Sequence, residues 1–350
     1  MTSYEQSAEK KLDSLRGRED YIIMSFESSC DETAVAVLKG KTVLANEISS
    51  QIEIHKRFGG VVPEIASRNH ILCIDNLVKE ALEKAKITLQ DVDVIAVTYG
   101  AGLQGALLVG VSYAKALAYG LGIPVIGIDH IKGHVLANFL VHEELQFPFL
   151  CLLASGGHTQ LLEVKGYSDM KVLGETQDDA AGEAFDKVAR VIGLPYPGGP
   201  QIEKHAKEGN NVIPLPRPYK GENTLNFSYS GIKTAVINYV RNAEQRGQMV
   251  NTHDVAASFQ ECATGMLVEN AITAAKKLGY KEIAVAGGVG ANGALREKME
   301  RECKKNGIKC YLPPKILCTD NGAMIGVAAY FAIKEGIKAS SLSLDADPDL

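Results

Sequence analysis

Tyr21-Ile22-Ile23-Met24-Ser25-Phe26, Glu27-Ser28-Ser29-Cys30-Asp31-Glu32-Thr33 and Ala34-Val35-Ala36-Val37-Leu38, closed by Gly40, form the stretch whose reading decides the fold. The outer pieces are apolar and the middle one is polar, so the stretch reads as a strand, a turn and a return strand. The plan comes back at Phe147-Pro148-Phe149-Leu150-Cys151-Leu152-Leu153-Ala154, Ser155-Gly156-Gly157-His158-Thr159 and Gln160-Leu161-Leu162-Glu163-Val164. Two such hairpins predict a duplicated lobe. Between and after them the pattern predicts helices over 70–86, 103–121, 254–278 and 321–335, and strands over 93–98, 124–129, 282–286 and 308–312. That alternation is an α/β architecture. We expect residues 21–145 plus 321–350 to form one lobe and 146–320 the other, with ligands in the cleft between them. Residues 1–20 are polar and patternless and read as a frayed extension. Gly198-Gly199-Pro200 and Pro214-Leu215-Pro216-Arg217-Pro218 read as irregular loops.

With 350 residues, of which 46% are hydrophobic and 23% charged, the chain can bury a large core in two lobes. No apolar run approaches the roughly 20 residues of a membrane helix. The first twenty residues, with Lys10, Lys11, Arg16 and Arg18 among acids, lack a signal peptide's apolar stretch, which predicts a cytoplasmic protein. The seven cysteines contain no C-x-x-C pair and read as reduced thiols, several in the core, rather than disulfides or a zinc site. A net charge of -5 denies the chain a globally basic surface, so any nucleic-acid contact rests on local patches or on a partner.

His130 and His134, in His-Ile-Lys-Gly-His after the strand ending at Asp129, are four apart, so a helix would place both imidazoles on one face. Such a pair grips a metal only with further ligands, and Asp320, at the entrance to a predicted helix, is the best placed third; an N-cap is its alternative role. Two histidines and one carboxylate suit zinc or ferrous iron and leave positions open for substrate oxygens. The spacing also invites a metalloprotease reading, but there a glutamate follows the first histidine as general base, and here Ile131 stands in its place.

Gly288-Val289-Gly290-Ala291-Asn292-Gly293 matches G-x-G-x-x-G between a strand and a helix, yet no acidic residue lies between Glu302 and Asp320 to hold a ribose, which disfavours a nicotinamide cofactor. The milder reading lets Gly287 and Gly288 bring the backbone close to an adenosine, with Asn292 as a hydrogen-bonding group. The turn Ser155-Gly156-Gly157-His158-Thr159 offers backbone N–H groups and hydroxyls to a phosphate, as Ser28 to Thr33 does in the equivalent hairpin. In the helix-like run from Asp178 to Arg190, Asp186 is placed to reach ribose hydroxyls.

Taken together, Ser28 to Thr33, His55-Lys56-Arg57-Phe58-Gly59-Gly60-Val61-Val62-Pro63-Glu64, Ser155 to Thr159, Gly182-Glu183-Ala184-Phe185-Asp186, Asn226-Phe227-Ser228-Tyr229-Ser230-Gly231 and Cys318-Thr319-Asp320-Asn321-Gly322-Ala323-Met324 closely resemble the tRNA N6-adenosine threonylcarbamoyltransferases. The resemblance runs from about Tyr21 to the helix after Asp320. It implies the actin-like ATPase (ASKHA) fold, with two duplicated RNase H-like lobes and a cleft between them. It further implies one divalent metal ion, iron or zinc, on His130, His134 and Asp320. ATP or threonylcarbamoyl-AMP would lie against Leu153, Ala154, Ser155, Gly156, Gly157, Asp186, Gly199 and Asn292, with Glu203 where many relatives carry aspartate. The implied reaction carries the threonylcarbamoyl group to the adenosine next to the anticodon in tRNAs reading codons that begin with A. Implied partners are the tRNA, a paralogous actin-like subunit and a small ATPase subunit, with no membrane. The chain departs from the family at Ser25-Phe26-Glu27, usually Gly-Ile-Glu, and at Gly100-Ala101-Gly102, usually Gly-Pro-Gly.

On this reading the adenine amino group attacks the carbamoyl carbon of the mixed anhydride and AMP leaves, while Asp31 or Glu32 takes the proton. His55 to Arg68, carrying Lys56, Arg57 and Arg68, reads as a loop beside the target nucleotide. Two rivals from other classes are a metal-dependent peptidase and a nucleotide-operated scaffold that transfers nothing; a scaffold would not require the metal constellation.

Overall fold

The computed structural model describes residues 2–350. The chain divides into two units, one made of the residues up to Leu145 together with Thr319–Leu350, the other of Gln146–Cys318. In the first, α1 (Ser3–Leu15) precedes β1 (Ile22–Glu27), β2 (Glu32–Lys39) and β3 (Thr42–Ser50). Then follow α2 (Ile52–His55), α3 (Pro63–Ala85), β4 (Val94–Gly100), α4 (Gln104–Leu121), β5 (Val125–Asp129) and α5 (His130–Leu136). The sheet runs β3-β2-β1-β4-β5, antiparallel across β1, β2 and β3 and parallel across β1, β4 and β5.

The second unit repeats this plan with β6 (Phe149–Ala154), β7 (Thr159–Val164), β8 (Met170–Glu175), α6 (Ala181–Val191), α7 (Gly198–Ala206), α8 (Ser230–Gln245), α9 (Thr252–Leu278), β9 (Glu282–Ala286), α10 (Gly293–Lys305), β10 (Lys309–Tyr311) and α11 (Lys315–Cys318). Its sheet runs β10-β9-β6-β7-β8, with the same antiparallel hairpins on one side of the first strand and parallel neighbours on the other. The chain then returns to the first unit as α12 (Gly322–Lys334).

Both faces of the first sheet are covered, which explains why β1 and β2 are nearly continuous apolar runs. Met24, Phe26, Val35, Val37, Ile95 and Val97 join Ile74, Leu77 and Val78 of α3 and Val111 and Ala114 of α4 in one core cluster. The alternate residues Ser25, Ala36 and Leu38 face α12. There Gly322 and Gly326, one turn apart, let the helix lie on the strands, because a Cβ at Gly322 would sit 2.6 Å from the Ala36 nitrogen and one at Gly326 2.3 Å from Leu38 Cδ1.

Ser25 donates its hydroxyl to the Gly322 carbonyl at 2.8 Å, tying β1 to the start of α12. Ser25→Ala removes the donor from a buried carbonyl, and we expect a loss of about 1 kcal/mol in urea denaturation. Stability equal to that of the parent would mean the hydroxyl carries no load.

The described part of the stretch read as a frayed extension, residues 2–20, is not frayed. Thr2 and Glu5 form a capping box at the start of α1, and Ala8, Leu12 and Leu15 are buried along one side of that helix. The polar composition conceals this because three apolar residues at helical spacing suffice to dock one face. Gly198-Gly199-Pro200 opens α7 instead of forming a loop. The stretch 55–68 is mostly helical, as α2 runs into a 3-10 turn at Lys56–Phe58 and α3 begins at Pro63. No helix among the described residues is long and apolar enough to cross a membrane, and all seven cysteines are free.

Candidate metal and nucleotide sites

Three strands of the first sheet deliver polar residues to one edge. β1 ends in Glu27, β4 carries Thr98 near its end, and β5 ends in Asp129. The Asp129 side chain accepts the backbone N–H groups of Ile131 and Lys132 and so caps α5, starting the helix at His130 and placing His134 one turn along it. Gly133 lets α12 approach, since a Cβ there would meet Ile325 Cδ1 at 2.8 Å. Asp320 precedes α12, but Asn321 is the residue that caps it, accepting from the Met324 N–H at 3.0 Å. The Asp320 carboxylate is thereby left for the histidines.

Ligand atoms of His130, His134 and Asp320 lie within 4.8 Å of one another, and this is the only such group of three among the described residues. Asp320 Oδ1 is 3.1 Å from His134 Nε2 and 3.6 Å from His130 Nε2. The rings stand edge to face, with centroids 4.6 Å apart. The expected boundary at residue 320 places the carboxylate on the other lobe. Instead Asp320 belongs to the same unit as the histidines, because the second unit ends at Cys318.

Two observations fit the cluster to a metal. Neither ring nitrogen of the buried His134 makes an aligned hydrogen bond, and Nε2 faces only the Asp320 carboxylate at 3.1 Å, a costly arrangement that a cation bound between them would relieve. His130 Nδ1 lies 3.1 Å from Glu27 Oε2. An ionised carboxylate only accepts, so Nδ1 donates to it, and in the neutral ring Nε2 then turns its lone pair toward Asp320, the usual orientation for a metal-binding histidine. Glu27 is itself held by Thr98 Oγ1 at 2.6 Å and the Ser29 N–H at 2.5 Å. Burial opposes charge on His130, but the carboxylates of Glu27 and Asp320 outweigh it and push the imidazole up to about 9. Burial likewise opposes charge on Glu27, and His130 outweighs it and holds the carboxyl below its ordinary range.

The turn after β1 wraps the cluster. Burial, then Asp320 and Asp31, push Glu32 up to about 9, and its Oε1 accepts from Ser50 Oγ at 3.0 Å. Asp31 keeps a buried Oδ2 without a partner. Burial, then Asp31 and Asp320, hold the Cys30 thiol well above its ordinary range. His70 of α3 fixes the turn from behind, bridging Thr33 Oγ1 at 2.7 Å and the Cys30 carbonyl at 2.9 Å. Sequence reading did not single out Glu27 or His70 as site residues; a buried glutamate ending the first strand was the available signal for the former, and none pointed to the latter.

The second unit gathers the other candidates. Leu153 and Ala154 end β6, and Ser155 turns the chain, its N–H donating to the His158 carbonyl and its Oγ accepting the His158 N–H. A Cβ on Gly156 or Gly157 would meet nothing within 4 Å, so these backbones stand open. Gly182, by contrast, packs against the Ser155 carbonyl, and Gly287, at φ +83°, packs against the Ala154 carbonyl. Asp186 Oδ1 accepts the Gly198 N–H at 2.6 Å, which anchors the start of α7, while Gly199 beside it is open. Glu203 of α7 reaches Gly293, where a Cβ would lie 2.8 Å from its carboxylate. Asn292 is already engaged: it caps α10 by accepting the Leu295 N–H and donates to Gln260 Oε1 at 2.9 Å. The hairpin turn, α7 and the 287–293 segment are thus linked through glycine contacts, with the exposed backbone of Gly156 and Gly157 open to an approaching anion.

A sequence model of the family described as "TsaD: tRNA N6-adenosine threonylcarbamoyltransferase" matches residues 42–327. The chain belongs to this family. A TsaD protein of Clostridium botulinum (strain 657 / Type Ba4), named tRNA N6-adenosine threonylcarbamoyltransferase, is 56% identical over 335 residues, covering 95% of this chain and 98% of that protein. One of the same name from Clostridium perfringens (strain 13 / Type A) is 56% identical over 331 residues, covering 94% and 97%. Among solved structures, full-length HypF in a phosphate- and nucleotide-bound form aligns with a TM-score of 0.61 at 15% identity, over 91% of this chain and 47% of HypF. Component A of the Acidaminococcus fermentans (R)-2-hydroxyglutaryl-CoA dehydratase aligns with a TM-score of 0.53 at 13% identity, over 89% and 99%. These two share the ASKHA-type fold with this chain; their identity is too low to speak for its chemistry.

Proposed function

We propose that the chain transfers a threonylcarbamoyl group from threonylcarbamoyl-AMP to the N6 amine of the adenosine beside the anticodon, in tRNAs reading codons that begin with A. Membership of the TsaD family supports the transfer to tRNA. The single observation that carries the chemistry is the convergence of His130, His134 and Asp320 with Glu27 behind it.

A divalent ion, zinc or ferrous iron, held by those three residues would supply a Lewis acid beside the carbamoyl oxygen. The chain's own residues orient and exclude. Glu27 fixes the His130 ring, the Ser28 to Thr33 turn shields it, and the open amides at Gly156 and Gly157 suit the phosphate of the adenylate. In the transfer, the N6–carbamoyl bond forms, the carbamoyl–phosphate bond breaks with AMP as leaving group, and the N6 proton goes to Asp31, whose buried Oδ2 has no partner, rather than to Glu32, whose carboxyl at about 9 is already protonated near neutral pH. Asp186, Gly199, Glu203 and Asn292 would border the nucleotide. The exposed Ile71 and Leu72 of α3, at 63% and 75%, suit a paralogous actin-like subunit, and a small ATPase subunit completes the assembly. With tRNA as substrate, the reaction belongs in the cytoplasm. A zincin-type peptidase is disfavoured by Ile131, which cannot act as a base.

The test incubates the chain and its partner subunits with labelled threonine, bicarbonate, ATP, an adenylate-forming enzyme and unmodified tRNA. We expect label in the tRNA, its loss after chelation, and its return on adding back zinc or ferrous iron. Absence of label, when an active relative succeeds in parallel, would overturn the reading.

A further inference from the structure

We propose that the groove between α9 and α10 docks the phosphodiester backbone of tRNA. This inference rests on the reading above that tRNA is the substrate. The groove, of about 380 Å³, lies wholly within the second unit. Arg217, Lys276, Lys298, Arg301 and Lys305 line it. Against these five cations stand three glutamates, leaving a local excess of two positive charges in a chain whose net charge is -5. A polyanion meeting an acidic protein gains most where the local sign is reversed.

Two of the cations are built into the floor. Arg217 leaves the segment Pro216-Arg217-Pro218, its guanidinium lying over Gly265, where a Cβ would sit 3.2 Å from Nη2. Glu269 holds it from the side at 2.6 Å. Lys298 is 8% exposed, and its Nζ donates to the Glu261 carbonyl and to Thr264 Oγ1, with Glu261 Oε2 at 2.8 Å. Burial, and after its own ion pair the neighbouring Arg217 and Arg301, press the Lys298 ammonium below its ordinary range. An anion in the groove relieves that pressure. The rim is open by contrast: the side chains of Arg301 and Lys305 are 66% and 74% exposed, and both lie beside Glu302, at 3.2 and 3.9 Å, exposed pairs that a phosphate can displace at little cost.

A fixed floor with an exposed rim suits a backbone whose phosphates must be found in sequence rather than gripped at one point. Length points the same way. The lining of α9 runs from Glu261 to Lys276, about 22 Å of helix, room for several successive phosphates and more than one free phosphate needs.

The experiment reverses the exposed rim with the double variant Arg301→Glu/Lys305→Glu in the full chain and measures tRNA affinity across a salt series. We expect binding about tenfold or more weaker at low salt, and a slope of log affinity against log salt smaller by about 2. The KM for tRNA should rise while kcat at saturating tRNA is kept. The pair Arg301→Lys/Lys305→Arg should keep the parent slope, which separates charge from shape. Unchanged affinity and slope in the charge-reversed variant would overturn the proposal. So would loss of assembly with the partner subunits at unchanged tRNA affinity, because the groove would then serve a protein. A parent chain that binds tRNA through this slope yet never transfers label would overturn the proposed reaction and leave the groove standing.

Discussion

Asp320→Ala should lower threonylcarbamoyl transfer by a hundredfold or more and abolish stoichiometric metal binding, while the chain still folds. The expectation follows from the division of labour at the start of α12. Asn321 caps the helix, so removing its neighbour's carboxylate leaves the cap in place. What disappears is the one oxygen facing both imidazoles, at 3.1 and 3.6 Å from their Nε2 atoms. A catalytic metal contributes several kcal/mol of transition-state stabilisation, and about 1.4 kcal/mol is tenfold in rate, so a hundredfold is the lower end of the expected loss. Elemental analysis of the purified variant reads the metal directly, apart from activity. A variant that retained one equivalent of metal and near-parental transfer would show that the cluster is held together by the fold for another reason.

Gly287→Ala should destabilise the second unit by about 3 kcal/mol or more and impair nucleotide binding with it. Two costs combine at this residue. Its φ of +83° is a conformation that side chains avoid, and an added Cβ would meet the Ala154 carbonyl oxygen at 2.5 Å and its carbon at 2.8 Å. Strain of 1–3 kcal/mol and overpacking of similar size are typical of such sites, taken as about those magnitudes. Backbone cannot swing aside as a flexible side chain can, so the clash must push the 287–293 segment away from the end of β6. Urea denaturation and ATP or AMP affinity check the two halves of the prediction. Parental stability would mean that the segment relaxes freely and does not brace the hairpin turn.

Much of this molecule was legible from residues close together in the chain. Strand, turn and return strand at 21–38 and again at 147–164 are local patterns, and the two sheets repeat them in the same order of strands. His130 and His134 share a helix face because four residues make about one turn. The four long helices expected lie within a few residues of their observed ends, except that α3 begins at Pro63, where a proline is tolerated as the first helical residue, while α8 (Ser230–Gln245) was not expected.

Other features were decided only in three dimensions. Composition cannot reveal that Ala8, Leu12 and Leu15 dock α1, because the surface they meet is built from residues elsewhere in the chain. Nor can it tell that Asp320 returns to the histidines' unit, which depends on Gly133, Gly322 and Gly326 letting α5, α12 and the first sheet approach closely. Glu27 and His70 carry no sequence signal of their role, since a second-layer partner is defined by the side chain it holds and not by its neighbours in the chain. The sequence by itself determined which local pieces form and which could carry chemistry. The tertiary structure decided which of them meet, because a shared ion site is a matter of a few ångströms between atoms that the chain separates by most of its length.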